Sequence, residues 1–391
     1  MKLNGDKPVK NGLVMNMIDY ENAVFCRKCE NYDRENVSLA VDRLLAQAGF
    51  GSDEIRGKRV VIKPNLLLAY APEKAATTHP AVVEAVINYV KSYFPASLII
   101  AESPGGTYNE SSLRRVYDVT GMTGVSERTG VPLNFGSDSD TLSIPDGENA
   151  KSVQAIKPIL DSEVIVNVCK AKTHSLAVMT GASKNLFGVI PGITKFEMHA
   201  RFSDPQKFFG MVTDVNCELR KHRTVFSVCD AVTCMEGNGP SGGNPKHAGM
   251  LFASRNTFSL DSVLAEMMGV HDETPILAIA ASRGLIPASA DMIAKVGDPV
   301  PTGLDFVKAD ATQGKKLTKI PAFLQPRPVI DRDICKGCFA CVKACPQHTI
   351  VEKDGKAFIE KKNCIRCYCC QELCTFKAVR IKKSFIYNII K

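Results

Sequence analysis

The chain of 391 residues contains no tryptophan, which by itself excludes nothing, but its other absences are informative. No stretch approaches the ~18 uninterrupted apolar residues of a membrane-crossing helix, so an integral membrane protein is not expected. The first thirty residues lack an apolar segment followed by a small-residue cleavage site. No secretory signal is therefore expected, and the default address is the cytoplasm. Neither a G-x-G-x-x-G fingerprint nor a P-loop occurs, so no Rossmann dinucleotide site and no ATPase is expected. No Ser/His/Asp or Cys/His hydrolase signature is visible. Net charge is also missing from most of the chain, because residues 1–325 hold 35 basic and 35 acidic side chains.

What remains is ordinary globular composition, 45% apolar and 23% charged with 28 Gly and 21 Pro, which excludes disorder and fibrous classes. At roughly 150 residues per domain, the length suits two to three domains. The unusual count is fifteen cysteines, nine of them between Cys335 and Cys374. Clustered cysteines in a chain without a secretory signal read as metal ligands rather than disulfides. The whole net charge of +8 lies in the same tail, where residues 326–391 hold 14 Lys+Arg against 6 Asp+Glu. Such a tail could bind nucleic acid or anionic lipid, or balance an anionic group held within it. The cysteines favour the last reading, and no nucleic-acid partner is expected.

Before the tail, apolar runs alternate with amphipathic segments. Strands are expected at 58–62, 97–101, 163–168, 225–229 and 249–253. Helices are expected at 80–94, 110–121, 205–220, 258–268 and 273–283. This alternation points to an α/β domain with a largely parallel sheet, here placed at 1–294. A Pro-rich connecting segment follows at 295–326, and then a small domain at 327–391.

The small domain repeats. A shift of 29 residues carries Cys335, Cys338, Cys341 and Cys345 onto Cys364, Cys367, Cys370 and Cys374. Both halves read C-x2-C-x2-C-x3-C and resemble the bacterial-type ferredoxin with two [4Fe-4S] clusters. The resemblance implies an α+β fold and one cluster held by Cys335, Cys338, Cys341 and Cys374. It implies a second held by Cys364, Cys367, Cys370 and Cys345. Thr375 stands where that pattern expects proline, and Cys369 is an extra thiol read as buried and unligated. Zinc is the rival metal, but its sites usually use two C-x2-C pairs joined by a longer loop. Two anionic clusters also account for the basic tail.

The larger domain carries its own ordered segments: VVIKPNLL (60–67), TTHPAVVEAVI (77–87), ESPGG (102–106), KAKTHSLAVMTGASKNLFGVIPG (170–192), DAVTCMEGNGPSGG (230–243) and SLDSVLAEMMG (259–269). Over about residues 20–290 these resemble the domain of unknown function 362 family, whose members are often fused to such a ferredoxin tail. That resemblance implies an iron–sulfur protein of anaerobic metabolism and assigns no reaction.

In parallel α/β sheets, ligands bind beyond the carboxyl ends of the strands. The candidate catalytic residues fall there: Lys63 and Asn65, then Lys172 and His174, then Lys184, Asp230 and Glu236. Glu102, Lys170, Asn185 and Asn238 lie beside them in the sequence. Lys63 could equally be a solvated strand end and His79 the neighbour of a helix cap. Asp230 and Glu236 could cap turns or supply an acid/base pair or a cation site. The glycines of ESPGG and GNGPSGG suit tight turns or a phosphate cradle. Cys26 and Cys29 form a lone C-x2-C, a dithiol or two structural thiols, while Cys169, Cys217, Cys229 and Cys234 read as core.

Three functions follow from the residues. One is a ferredoxin-type reductase, in which the tail passes low-potential electrons to a small anionic substrate or a cofactor in the α/β domain. Whether that domain holds a flavin or a further metal is not legible. The second is an electron-transfer subunit that docks on a larger oxidoreductase, and the third an iron–sulfur maturation or redox-sensing protein. All three imply a redox partner protein.

Overall fold

The computed structural model describes residues 19–192, 194–311 and 325–383. Its larger part contains β1 (Val24–Lys28), β2 (Arg59–Pro64), β3 (Ser97–Ile100), β4 (Ser139–Ser143), β5 (Ser152–Ile156), β6 (Val164–His174), β7 (Val178–Thr180), β8 (Thr224–Glu236), β9 (Asn244–Ser254) and β10 (Lys295–Gly297). The central sheet runs β10-β1-β9-β8-β6-β2-β3, with β7 folded back on β6, while β4 and β5 form a separate hairpin. All neighbours pair in parallel except where β9 meets β1 and β8, and where β7 meets β6. The chain is therefore α/β with a largely parallel sheet, as its alternating pattern leads one to expect.

Between the strands lie α1 (Arg34–Gln47), α2 (Ser52–Ile55), α3 (Pro80–Lys91), α4 (Glu110–Val119), α5 (Met122–Thr129), α6 (Lys157–Asp161), α7 (Ala182–Leu186), α8 (Thr194–Arg201), α9 (Pro205–His222), α10 (Thr257–Met267) and α11 (Pro275–Ser282). Several begin on a side chain that accepts the orphan N–H groups of the first turn: Asp33, Asn109, Asp204 and Asn256. The sheet is buried on both faces. Val60, Ile62, Val164 and Val166 pack into one apolar layer with α1 and α3. Val61, Ile165 and Cys169 pack into the other with α7, α9 and α10.

One boundary differs from expectation. Lys295–Gly297, placed by sequence in the connecting segment, is the edge strand beside β1. Three residues show no periodicity to read, and only pairing makes them a strand. The larger part continues to Ala311, with Phe306, Ala309 and Ala311 buried.

The tail is built twice. β11 (Arg327–Ile330) pairs with β14 (Val379–Lys382), and β12 (Ile350–Lys353) pairs with β13 (Lys356–Ile359). Helices α12 (Ala340–Lys343) and α13 (Cys369–Leu373) fall within the two cysteine repeats. The 29-residue repeat reaches the backbone: Gly337 and Arg366, Phe339 and Tyr368, and His348 and Lys377 are pairs in which both residues have positive φ.

The strand order places the site. From β2 the chain crosses outward to β3, and β6 then enters on the opposite side of β2. The order thus reverses between β2 and β6, and a crevice opens at their carboxyl ends.

Candidate functional site

Lys63, Lys172, Lys184 and Lys195 meet at that crevice with Lys170 in a network beside it, and the five fall into two classes. Lys63, at the end of β2, is 0% exposed and places Nζ 2.9 and 3.1 Å from the Glu102 carboxylate oxygens. Lys170, on β6, lies 2.8 Å from Asp230 on β8 and donates also to Tyr32, whose hydroxyl donates to the other Asp230 oxygen. These two are closed ion pairs. Lys172, Lys184 and Lys195 have no carboxylate within ion-pairing distance among the described residues. Lys172 donates to Asn65 Oδ1 at 2.6 Å and to the Ala76 carbonyl at 2.7 Å. Lys195 donates to the carbonyls of Ser103 and Pro104 and to Ser103 Oγ. The Lys184 ammonium lies 4.3 Å above the Phe187 ring and has no hydrogen-bond partner among the described residues.

Burial with like charges nearby pushes all three ammonium groups down, Lys172 and Lys195 to about 7. Against them stands Glu372, whose charge partly offsets that loss for each. Glu372 belongs to α13 in the tail.

A cleft of about 510 Å³, counted to its open mouth, is lined by Asn65, Ser103, Lys184, Lys195, His199 and Glu372, with Phe187 and Phe196 as apolar wall. It is the junction of the two parts. Ser175 Oγ donates to Gln371 Oε1 at 2.8 Å and Ser241 Oγ to the Glu372 carbonyl at 2.9 Å. His174 Nδ1 accepts the N–H groups of Leu176 and Ala177, so its proton sits on Nε2, 3.9 Å from Glu372 Oε2. The two Gly-rich loops also meet α13. Gly105 approaches the Leu373 side chain, and Ser241 of GNGPSGG makes the bond just named. In this fold both loops seat the tail.

The crevice gathers Lys63, Asn65, Lys172, His174 and Lys184. Asp230 stands in its own network, accepting the His79 N–H as well, with His79 stacked 3.6 Å on Tyr32. His79 itself accepts the Ala81 N–H and caps α3. Glu236 lies elsewhere, accepting the Val307 N–H, and Asn238 pairs with Asp310. Sequence reasoning missed Lys195 and His199. Their i, i+4 spacing on α8 puts them on one helix face and was the available signal. His199 is 7% exposed and stacked 4.2 Å on Phe208; neither ring nitrogen has a hydrogen-bond partner among the described residues.

In the tail, a pocket of about 360 Å³, counted to its open mouth, is lined by Cys345, Cys364, Cys367, Cys369 and Cys370. The Cys341 thiol, raised to about 11 by burial, has Cys374, Cys338 and Cys335 as its other charged neighbours. The thiols of this set border one pocket, which suits a polynuclear group. Thr349 N–H donates to Cys345 Sγ at 3.4 Å and Ala378 N–H to Cys374 Sγ at 3.2 Å, again 29 residues apart. Cys369 is 1% exposed and packs with Phe196, Ala344 and Leu373. Cys26 and Cys29 lie in opposite apolar layers of the sheet, so this pair is not a dithiol.

Comparison with known proteins agrees with this division. The chain is 27% identical over 281 residues to the thylakoid-associated protein sll1697 of Synechocystis, covering 70% of this chain and 83% of that one. It is 39% identical over 54 residues to a ferredoxin of Pyrobaculum islandicum, or 14% of this chain and 50% of that one. Among solved structures, a Thermotoga maritima protein matches with TM-score 0.35 at 10% identity, over 56% of this chain and 54% of its own. The lactate racemase apoprotein of Thermoanaerobacterium thermosaccharolyticum matches with TM-score 0.37 at 13% identity, over 62% and 56%. The chain thus spans about half the length of these two structures. Among the described residues, no helix is long and apolar enough to cross a membrane. A 4Fe-4S dicluster domain profile matches residues 327–375, which makes the tail an iron–sulfur domain. The profile described as domain of unknown function (DUF362) matches residues 60–266, more than half of the chain, and the chain belongs to that family.

Proposed function

We propose that this protein is a ferredoxin-type reductase, in which two [4Fe-4S] clusters serve a small anionic molecule bound in the cleft between its two parts. The observation that carries the reading is the cleft lining, which combines Lys184, Lys195 and His199 of the α/β part with Glu372 of the cysteine-bearing helix α13. Fusion of donor and acceptor site in one chain raises their effective concentration.

Cys335, Cys338, Cys341 and Cys374 would hold one cluster, and Cys364, Cys367, Cys370 and Cys345 the other. When bound, these groups supply one-electron transfer at low potential. Lys184 and Lys195 line the cleft with Glu102, already paired with Lys63, and with Glu372, which forms no ion pair with either lysine. An anion bound there would give Lys184 the partner it lacks. Lys184 meets the anion, and Lys172 holds Asn65 in place from beneath. His199, neutral because burial and the Lys184 charge lower it to about 3, offers a ring N–H to a bound oxygen.

The test is anaerobic reoxidation of the reduced full-length protein by a panel of small organic and inorganic anions. At least one should reoxidise the wild type faster than it does Lys184→Gln, with iron and sulfide unchanged at about eight each. If no anion distinguishes the two proteins, the reductase reading fails. The electron-transfer subunit then takes its place, with Phe358 and Phe376, 41% and 45% exposed on the tail, as its docking aromatics.

A further inference from the structure

The two cysteine sets are not equivalent in their surroundings. Cys338 is exposed, and so are its neighbours Lys336 and Lys343. In the other set Cys370 is buried, and α13, which carries it, packs against the α/β part through Gln371, Glu372 and Leu373. The same short helix faces two cavities. Cys369 and Cys370 line the cysteine cavity, and Glu372 lines the cleft. Between those cavities lies one buried apolar cluster containing Cys369, Leu373 and Phe196. Phe196 is also a wall of the cleft, and Lys184 is within Coulombic reach of Cys369. Cys369 of the tail, which lines the cysteine pocket, and Phe196 of the α/β part, which lines the cleft, thus belong to one buried cluster that joins the two.

We propose that electrons enter at the exposed Cys338 edge and leave for the cleft from the set Cys345, Cys364, Cys367 and Cys370, across the partition made by Cys369 and Phe196. The proposal deepens the reductase reading by fixing direction. Each electron that leaves this set is gained by the anionic acceptor, which is reduced. A low-potential one-electron carrier protein replaces it at the Cys338 edge and is itself oxidised. The partition keeps water out of the path and holds Cys369 as a packing thiol rather than a ligand.

Charge at the cleft must then act on one cluster and not the other, because Coulomb interaction falls with distance. Lys184→Gln removes a positive charge beside the second set and makes reduction there harder. In an anaerobic redox titration followed by electron paramagnetic resonance, the midpoint of one signal should move to lower potential while the other stays. The moving signal should be the one that survives Cys338→Ala and disappears in Cys364→Ala. Lys336→Gln should move the other signal instead. On wild-type protein, a soluble gadolinium chelate should speed relaxation of the first-set signal more than that of the second.

The route is overturned if Lys184→Gln moves the signal lost in Cys338→Ala or moves both equally. It is also overturned if the chelate reaches both signals alike, a readout that needs no variant to fold. None of these measurements requires the acceptor. Failure to find a reducible anion would therefore count against the reductase reading, while these measurements would still show which cysteine set lies beside the cleft and which at the exposed edge.

Discussion

Lys172 Nζ lies 2.6 Å from Asn65 Oδ1, tying the carboxyl end of β6 to that of β2 at the point where the strand order reverses. Asn65 Nδ2 donates onward to Asn185 Oδ1 at 3.0 Å, and Asn185 Nδ2 to Asn167 Oδ1 at 2.8 Å. A chain of amides thus runs from the cleft floor into the sheet, fixing the side chains that border the crevice. Satisfied buried networks of this kind hold one geometry.

Lys172 makes stability depend on pH. Its folded value of about 7 lies below the ordinary 10.5, so between these values the unfolded chain binds the extra proton. Stability should therefore rise from about pH 7 to pH 10, by roughly 1 kcal/mol per unit where the group is the main contributor. Urea unfolding at pH 7, 8 and 9 should show that slope flattened in Lys172→Met.

The buried pair Lys63 and Glu102 should behave as a unit. Removing one partner strands the other charge, so Lys63→Met or Glu102→Gln should each cost about 3–5 kcal/mol. The double variant should recover a large part of it. Gly188→Ala belongs to the same test, because its Cβ would fall 2.7 Å from Lys63 Nζ and 2.9 Å from Glu102 Oε1. Thermal unfolding of the four variants checks this.

Cys345 lies in the first cysteine motif but borders the cavity of the second. Cys345→Ala should therefore weaken or remove the resonance signal that Cys364→Ala removes, and spare the one lost in Cys338→Ala. Spectra of the three variants beside their iron content decide it.

Leu373 packs in the apolar cluster that joins the two parts. Leu373→Lys should undock the tail at a cost of about 2 kcal/mol or more while leaving iron content unchanged. Hydrogen exchange should then rise at Leu67 and Gly105 and near Ser175 and Ser241, and stay unchanged in α1 and α3.

Much of this was legible because it repeats. Four cysteines at one offset of 29 residues announced the tail, and the same offset recurs in backbone φ and in the bonds to Cys345 and Cys374. The parallel sheet was legible because strands buried on both faces read as continuous apolar runs. Lys63, Asn65, Lys172, His174 and Lys184 could be named because each falls at or just past the carboxyl end of an expected strand or at a helix start, although β6 itself runs on through Lys172 and His174. Asp230 and Glu236 satisfied the same rule and went elsewhere, since position along the chain does not say which neighbour a carboxylate meets. For Asp230 that neighbour is Lys170, one strand away in parallel register.

The sequence by itself determined the iron–sulfur tail, the α/β class and the lysines available at the strand ends, because these rest on spacing and periodicity within short segments. Tertiary structure alone decided which lysines are paired and which are short of a counter-charge. It also brought Lys195 and His199 to the cleft and put Glu372 across it. Those outcomes depend on contacts between residues far apart in the chain, such as the bond from Ser175 to Gln371, 196 residues away. Packing two domains together sets such distances, and no local pattern encodes them.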